Sequence, residues 1–190
     1  MMRRLAVRAA ARRAASTLAG HMEVSGIGLH TGASVRVVAR PAEASEGVYF
    51  VRTDLGGEPR ITASLNSVTD TRLSTTLGDG AGANAASVRT VEHLLAALCG
   101  AGVSACRVEI DGPELPLLDG SAAPWVAAIF AAGVAPLAPA GGAAPLAARL
   151  KTPCWVHEGD AWVVALPADA ARCASTLSRT LPLALTRTRA

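Results

Sequence analysis

The sequence predicts an α+β fold, because strand-like and helix-like patterns occupy different parts of the chain. Residues 35–40 and 47–52 combine β-branched and aromatic side chains with polar interruptions, which is typical of strands. Residues 91–99 instead repeat apolar side chains at intervals of three and four, which indicates a helix with one buried face.

Strand-like segments fill most of the first half of the chain. Residues 16–48 alternate as strands do, and residues 61–77 are rich in Thr, Ser and Val, with a corner expected at Asp70-Thr71. Residues 78–86 consist of Gly and Ala with one Asp and one Asn, so a loop is predicted there. A further strand is expected over residues 104–110.

Two helices are predicted, and the first should begin after Thr90, a residue type that often caps helices. Gly100 and Gly102 should end it. Its expected buried face consists of Val91, Leu94, Leu95, Leu98 and Cys99. At about 100° per residue, His93 lies roughly opposite the centre of that face and Glu92 at its edge. His93 should therefore point to solvent or to another domain.

The second helix is predicted to begin at Pro124, a favoured first-turn residue, and to end at Gly133. Residues 136–147 are rich in Ala, Pro and Gly, which is typical of a linker. Residues 151–166 resume strand character around a Glu-Gly-Asp hairpin turn. Residues 170–190 follow neither the strand nor the helix period and are interpreted as an unrelated tail.

Charge and composition argue against two broad classes of function. The net charge is +3, but five arginines and no acid lie in the first 20 residues, which leaves 13 basic against 15 acidic residues beyond them. No nucleic-acid-binding face is therefore expected, and 3% aromatic residues offer no stacking platform. No run of 18 or more apolar residues suggests a membrane span, so no stable membrane anchor is predicted.

Residues 1–15 form a basic leader that is rich in Ala and Arg, lacks acids and can form a helix. This composition is typical of an organellar transit peptide. The mitochondrion is the expected location, because arginine dominates and serine is scarce. Two alternatives stay open, a plastid location and the frayed basic tail of a bacterial-type cytoplasmic protein.

The cysteine pattern indicates reduced thiols. The four cysteines are Cys99, Cys106, Cys154 and Cys173. They show neither C-x-x-C pairing nor zinc-ribbon spacing. Cys99 lies among apolar helix residues and is predicted to be a small core side chain.

Glu92 and His93 are adjacent at the start of the first predicted helix. Such a pair suits metal-assisted hydrolysis, in which an imidazole binds Zn²⁺ and a carboxylate takes a proton from water. The alternative is a first-turn Glu favoured by the helix dipole beside a surface His. One histidine is far short of a zinc site, so the pair alone does not decide between the two.

Five linked segments add the missing context, since they occur in a fixed order at fitting distances. They are residues 25–32, 52–55, 67–77, 89–98 and 113–126. Together they closely resemble the N-terminal half of the UDP-3-O-acyl-N-acetylglucosamine deacetylase family of zinc amidohydrolases. The resemblance covers about residues 16–168.

That family is built from two similar α+β domains, with the active site in the cleft between them. The resemblance therefore implies a two-layer domain of a small mixed sheet packed with two helices over residues 16–135. The first strands of an incomplete second similar domain would follow over residues 148–169. Residues 16–20 would already belong to the first strand of the first domain.

The resemblance also implies roles for particular residues. His93 would be a zinc ligand, and Glu92 would be the catalytic general base. The positions expected near the substrate are Leu73, Ser74 and His30. Leu73 could instead be a plain core residue, and His30 could simply satisfy a turn. Residues 119–121 (Asp-Gly-Ser) are expected to form a structural turn and helix start.

The implied reaction is hydrolysis of the 2-acetamido group of UDP-3-O-acyl-N-acetylglucosamine, a step in lipid A biosynthesis. Zn²⁺ would polarise the amide carbonyl and supply hydroxide, Glu92 would take the proton, and acetate would leave. A UDP-linked acyl-glucosamine is then the expected substrate.

The family takes its other zinc ligands from the second domain, as a His and an Asp four residues apart. This sequence has no His-x-x-x-Asp, and the run from His157 to Asp160 has the wrong spacing and is given no metal role. The chain is therefore expected to be a truncated member, inactive unless a complementing second domain is supplied. The alternative is a non-catalytic truncated isoform that acts as a binding or regulatory domain.

Overall fold

The computed structural model describes residues 7–12, 15–80, 85–137, 146–159 and 161–167. The chain divides into two compact units, Arg12–Leu146 and a second unit that combines Met1–Ala11 with Ala147–Ala190. The strands are β1 (Val7–Arg12), β2 (Ser16–Leu18), β3 (Met22–Ile27), β4 (Ser34–Pro41), β5 (Val48–Arg52), β6 (Arg60–Thr62), β7 (Val68–Asp70), β8 (Thr76–Gly78), β9 (Ser87–Arg89), β10 (Cys106–Ile110), β11 (Val134–Pro136), β12 (Leu146–Leu150), β13 (Cys154–Glu158) and β14 (Ala161–Ala165). The helices are α1 (Glu92–Ala101) and α2 (Ala123–Ala132), and Leu65–Ser67 is a short 3₁₀ helix.

The larger unit is organised by a five-stranded mixed sheet in the order β3-β4-β10-β5-β6. Strand β10 runs antiparallel to β4 and parallel to β5, so that Val108 lies opposite both Ala39 and Phe50. The outer pairs, β3 with β4 and β5 with β6, are antiparallel. The small mixed sheet that the resemblance implied is therefore confirmed.

Both helices contribute to a single core on one face of this sheet. Cys106, Val108 and Ile110 of β10 are buried, whereas the intervening Arg107 and Glu109 are partly exposed on the other face. The buried face of the sheet forms one hydrophobic cluster with Leu94 and Leu98 of α1 and Trp125 and Ile129 of α2. One apolar face covered by helices and one polar face make this a two-layer α+β domain, as predicted.

The start of α1 differs from the prediction that Thr90 caps it. Thr90 has φ of +59°, and the residue flanking the helix is Val91 in the right-handed helical region. The hydroxyl of Thr90 donates to the side chain of Glu114 and does not cap the helix by accepting from a backbone N–H of its first turn. The predicted end is partly right, because Gly102 adopts the left-handed conformation with φ of 82° while Gly100 lies inside the helix.

The prediction that Cys99 is a core residue is wrong. Cys99 is exposed, and Ala97, which the predicted face omitted, is 1% exposed. The hydrophobic core cluster contains Leu94, Ala97 and Leu98 of α1 together with the buried side chains of α2. Packing of the two helices thus turns the buried face of α1 away from Cys99.

The second helix agrees with its predicted limits within one residue. It has a proline in its first turn, and Gly133 follows it with φ of 80°. Strand β11 then pairs antiparallel with β2, which places residues 16–18 in a two-stranded sheet. A separate three-stranded sheet, β7-β8-β9, carries the segments that flank the corner predicted at Asp70-Thr71.

The second unit contains two pairs of strands in its described part. Strand β1 pairs with β12, so Val7–Arg12 is a strand, not the helix that the leader composition permitted. Strands β13 and β14 form the predicted hairpin. Within it the rings of His157 and Trp162 are stacked, with 4.6 Å between their centroids. The exposed large apolar side chains of this hairpin are Trp155, Val156, Trp162, Val163 and Val164.

Several predictions fall on residues that the structure does not describe. These are the first residues of the leader, most of the linker and Cys173 with the rest of the tail. Among the described residues, no helix is both long and apolar enough to cross a membrane.

Candidate functional site

The Glu92 carboxylate lies at the first residue of α1 and is held by a backbone donor. The N–H of Thr75 donates to Oε2 of Glu92 at 3.0 Å. Glu92 and His93 are both half-buried, whereas the preceding Val91 is fully buried. Neither candidate side chain belongs to the core, in agreement with the direction that the helical period predicted for His93.

A turn that leads into α2 lies close to His93. Oδ1 of Asp119 accepts hydrogen bonds from the N–H and the hydroxyl of Ser121, both at 2.9 Å. These bonds hold the pKa of Asp119 below its ordinary value, and the charge of His93 adds a smaller effect in the same direction. The Ser121 hydroxyl in turn accepts from the N–H of Ala123 at 3.1 Å, so the predicted structural turn is confirmed.

Leu73 and Ser74 lie on a segment that contacts the start of α1. The carbonyl of Thr75 accepts from the N–H of Val91 at 3.3 Å, in addition to the Thr75 bond to Glu92. Leu73 is 89% exposed, so the alternative of a plain core residue is wrong. Ser74 is buried, and its hydroxyl accepts from Nε of Arg89 at 2.7 Å.

Strained backbone is concentrated around these segments. Four described residues other than glycine have positive φ, and three of them are Leu73 (61°), Thr90 (59°) and Leu118 (58°). Each lies in a segment that carries a candidate residue or the turn beside His93. Non-glycine residues in this conformation persist only where surrounding contacts impose it, and they are frequent at functional sites.

His30 occupies a tight loop, residues 28–32, whose backbone is fixed and whose imidazole is exposed. The N–H of Gly32 donates to the carbonyl of Gly28 at 3.0 Å. The N–H groups of His30 and Thr31 donate to Oε2 of Glu114 at 3.0 and 2.8 Å. The turn therefore uses the His30 backbone, which leaves the exposed imidazole for another role.

Glu114 is the residue that sequence reasoning missed. Its side chain is 0% exposed and accepts hydrogen bonds from His30, Thr31 and Thr90. Burial alone would raise its pKa, but the donors from Thr31, His30 and Thr90 outweigh it and the pKa lies below its ordinary value. In the sequence Glu114 is only a single carboxylate among prolines and leucines, and that pattern does not indicate its burial or its donors.

The described residues do not by themselves fit a zinc site. Protein zinc sites normally use three or four protein ligands. Among the described residues, no group of three or more His, Cys, Asp or Glu side chains could hold a metal ion. His93 can therefore supply one ligand, and the described part of the chain does not complete the set.

A surface depression of about 410 Å³ lies away from these residues. Its lining is polar and includes Arg60, Asn66 and Asp79, but neither Glu92 nor His93. Arg60 is already paired with Glu46 and lies over the ring of Tyr49. The depression therefore adds nothing to the candidate site.

Comparison with known proteins gives consistent matches. Residues 15–187 match the LpxC family model, described as UDP-3-O-acyl N-acetylglycosamine deacetylase. UDP-3-O-acyl-N-acetylglucosamine deacetylase from Nostoc sp. is 46% identical over 166 residues, which cover 87% of this chain and 57% of that protein. The protein of the same name from Thermosynechococcus vestitus is 48% identical over 82% of this chain and 52% of its own length. The one from Photobacterium profundum is 38% identical over 85% and 51%.

Three further points follow from these matches. The chain spans about half the length of the curated relatives it matches. These relatives are bacterial, which agrees with the bacterial-type or plastid alternatives and gives no support to a mitochondrial location. The family match also extends through most of residues 170–190, whose separate character stays a prediction.

Proposed function

Because the chain belongs to the UDP-3-O-acyl N-acetylglycosamine deacetylase family, we propose that it takes part in deacetylating a UDP-linked 3-O-acyl-N-acetylglucosamine. The products are acetate and the free 2-amine, and the step belongs to lipid A biosynthesis. The observation that carries this proposal is the Glu92 carboxylate beside His93, half-buried and held at the start of α1.

Glu92 is the proposed general base. Amide hydrolysis requires that water lose a proton as it attacks the carbonyl carbon, and a positioned carboxylate can take that proton. The Thr75 N–H fixes Oε2, and among the described residues Oε1 receives no hydrogen bond. One oxygen therefore orients the carboxylate while the other is available to the attacking water.

His93 is proposed as one ligand of a zinc ion whose other ligands come from outside the described residues. Bound zinc would lower the pKa of a coordinated water and polarise the amide carbonyl. Since the described residues contain no complete ligand set, we expect little acetate release from this chain alone.

Three residues are proposed to lie near the substrate, two of them in contact with it and one acting through a neighbouring side chain. Leu73 presents an exposed apolar side chain, and His30 presents an exposed imidazole on the loop held by Glu114. Ser74 is buried and bonded to Arg89, so its influence on the substrate would be exerted through that arginine. All three lie on segments joined by hydrogen bonds to the start of α1 or to Glu114.

The alternative function is that of a non-catalytic binding or regulatory domain. One observation favours it, namely that no group of three metal-binding side chains occurs in the described part of the chain. The two functions make different predictions for a sample in which a complementing second domain is present.

The test is acetate release from UDP-3-O-acyl-N-acetylglucosamine in the presence of zinc. We define the reconstituted enzyme as this chain coexpressed with the C-terminal part of the Nostoc relative that the match does not cover. Deacetylation predicts that the reconstituted enzyme releases acetate, whereas the chain alone stays near background. The intact Nostoc protein is the positive control.

A stable complex of the two chains that bound substrate but released no acetate would support the alternative. Metal analysis of the same complex provides a second readout. Zinc that is retained by the complex and lost on His93→Ala would support the ligand role of His93, and unchanged zinc content would contradict it.

A further inference from the structure

We propose that Glu114 is a positioning residue for the candidate site. Its buried carboxylate joins the 28–32 loop, which presents His30, to Thr90, which lies two residues before Glu92 at the start of α1. This inference rests on the proposed function, because it explains how two separate candidate segments are kept in a fixed relation. No role for Glu114 follows from the five motifs themselves.

On the loop side, Glu114 receives three donors from two adjacent residues. The N–H of Thr31 and its hydroxyl both donate to Oε2, at 2.8 and 2.9 Å. The N–H of His30 lies 3.0 Å from Oε2 and 3.1 Å from Oε1. A carboxylate that accepts several N–H and O–H groups forms stronger, charge-assisted bonds than a neutral acceptor would.

On the helix side, Glu114 is tied to the residues that precede Glu92. The Thr90 hydroxyl donates to Oε1 at 2.8 Å. The backbones of Arg89 and Glu114 form a parallel bridge, in which the N–H of Leu115 donates to Arg89 and the N–H of Arg89 donates to Pro113. Thr90 has a strained, positive φ, and it is held both by the bond of its own hydroxyl and by the backbone bonds of the preceding residue, Arg89.

The space around the carboxylate is closed. Glu114 is fully buried, and a Cβ at Gly28 would lie 2.6 Å from its Oε2. A buried carboxylate left without its donors is strongly unfavourable. A displacement of either segment would break bonds to the same carboxylate, so the loop and the start of α1 are expected to move together.

Reciprocal substitutions on the full chain test this coupling. Thr90→Val removes the helix-side donor, and its effect is read on the loop as hydrogen exchange of the His30 and Thr31 amides. Thr31→Val removes a loop-side donor, and its effect is read on the imidazole resonances of His93. Thr90→Ser and Thr31→Ser keep the hydroxyls and are the matched controls.

We expect Thr90→Val to speed exchange of the His30 and Thr31 amides about tenfold, because it removes one charge-assisted hydrogen bond to Glu114. Exchange of the Val37 and Val108 amides in the central sheet should stay unchanged. Thr31→Val should move the His93 resonances, and the two serine variants should reproduce the wild type. Coupling between sites is reciprocal, so both directions should be seen.

Equal acceleration of loop and central-sheet amides would show a general loss of stability and would overturn the proposal. So would a Thr31→Val variant with unmoved His93 resonances. Neither readout involves deacetylation. Failure of the coupling and failure of the proposed activity are therefore separate results.

Discussion

The hydroxyl of Thr90 donates a 2.8 Å hydrogen bond to Oε1 of Glu114, where the sequence predicted a helix cap. This bond directs the Thr90 side chain to Glu114 and not to the backbone of α1. The backbone of Thr90 has a positive φ of 59°. Thr90 thereby helps to fix the chain just before Glu92 and His93, because only Val91 lies between it and Glu92.

Replacing Glu114 with Gln should destabilise the fold by roughly 3 kcal/mol at pH 7, because an amide cannot accept from all the donors that meet the carboxylate. Urea unfolding of both proteins measures this difference. Glu109→Gln is the control, since Glu109 pairs with Arg40 and Arg107 on the exposed side of the sheet. Equal effects of the two substitutions would contradict the special position of Glu114.

The stability difference between the wild type and Glu114→Gln should become smaller as the pH falls. The pKa of Glu114 is lower in the folded protein than the ordinary value of 4.5, so its stabilisation is fully present above pH 4.5. It is lost as the pH falls through the folded-state pKa. The free energies of unfolding of the wild type and Glu114→Gln should therefore converge below pH 4.5. A difference between them that grew as the pH fell would contradict the lowered pKa of Glu114.

Gly28→Ala should destabilise the protein by about 1–3 kcal/mol, as overpacking of a closed site does. The added Cβ would meet the Thr31 hydroxyl at 2.5 Å and the Glu114 carboxylate at 2.6 Å. Gly56→Ala is the matched control, since a Cβ there meets no atom within 4 Å. Thermal unfolding that ranked Gly56→Ala as the more harmful change would contradict the close packing at Gly28.

The cysteines should differ sharply in reactivity. Cys99 is exposed, whereas Cys106 is buried and burial raises the pKa of its thiol to about 12. Only the thiolate reacts readily with iodoacetamide. Peptide mapping after brief treatment at pH 8 should find Cys99 labelled and Cys106 unlabelled, and a Cys99→Ser variant should lose that label. Rapid labelling of Cys106 in the folded protein would refute its burial.

Trp125 should tolerate loss of its indole nitrogen but not of its ring. The side chain is 0% exposed, and its Nε1 finds no hydrogen-bond partner among the described residues. Trp125→Phe removes a buried donor that has no partner, and such a donor costs about 1–3 kcal/mol of stability. Removing this cost should offset much of the stability that is lost with the smaller ring. Trp125→Ala should destabilise by about 3–5 kcal/mol. A Phe variant as unstable as the Ala variant would show that Nε1 has a partner.

Local patterns predicted the elements well where burial follows the period of the chain. The strands around residues 35–40 and 47–52, the second helix and the late hairpin all appear as expected. The resemblance to the deacetylase family, based on five segments, is confirmed by the family match. Insertion of β10 between β4 and β5 joins residues far apart in the chain, and no local pattern contains that pairing.

The errors have one physical origin, contacts made by distant residues. Cys99 fits the apolar period, yet the core shared with α2 takes Ala97 in its place. Thr90 is a good cap by type, yet a carboxylate 24 residues later takes its hydroxyl. Glu114 went unnoticed, because a lone Glu carries no sign that the fold will bury it among donors.

The most direct test of the proposed activity is the turnover of the reconstituted enzyme with Glu92→Gln. Glutamine keeps an acceptor for the Thr75 N–H but cannot take a proton, so kcat should fall about 10²–10⁴-fold while KM changes little. Glu109→Gln in the same reconstituted enzyme should leave kcat unchanged. A Glu92→Gln enzyme that released acetate at the wild-type rate would contradict the role of Glu92 as the base.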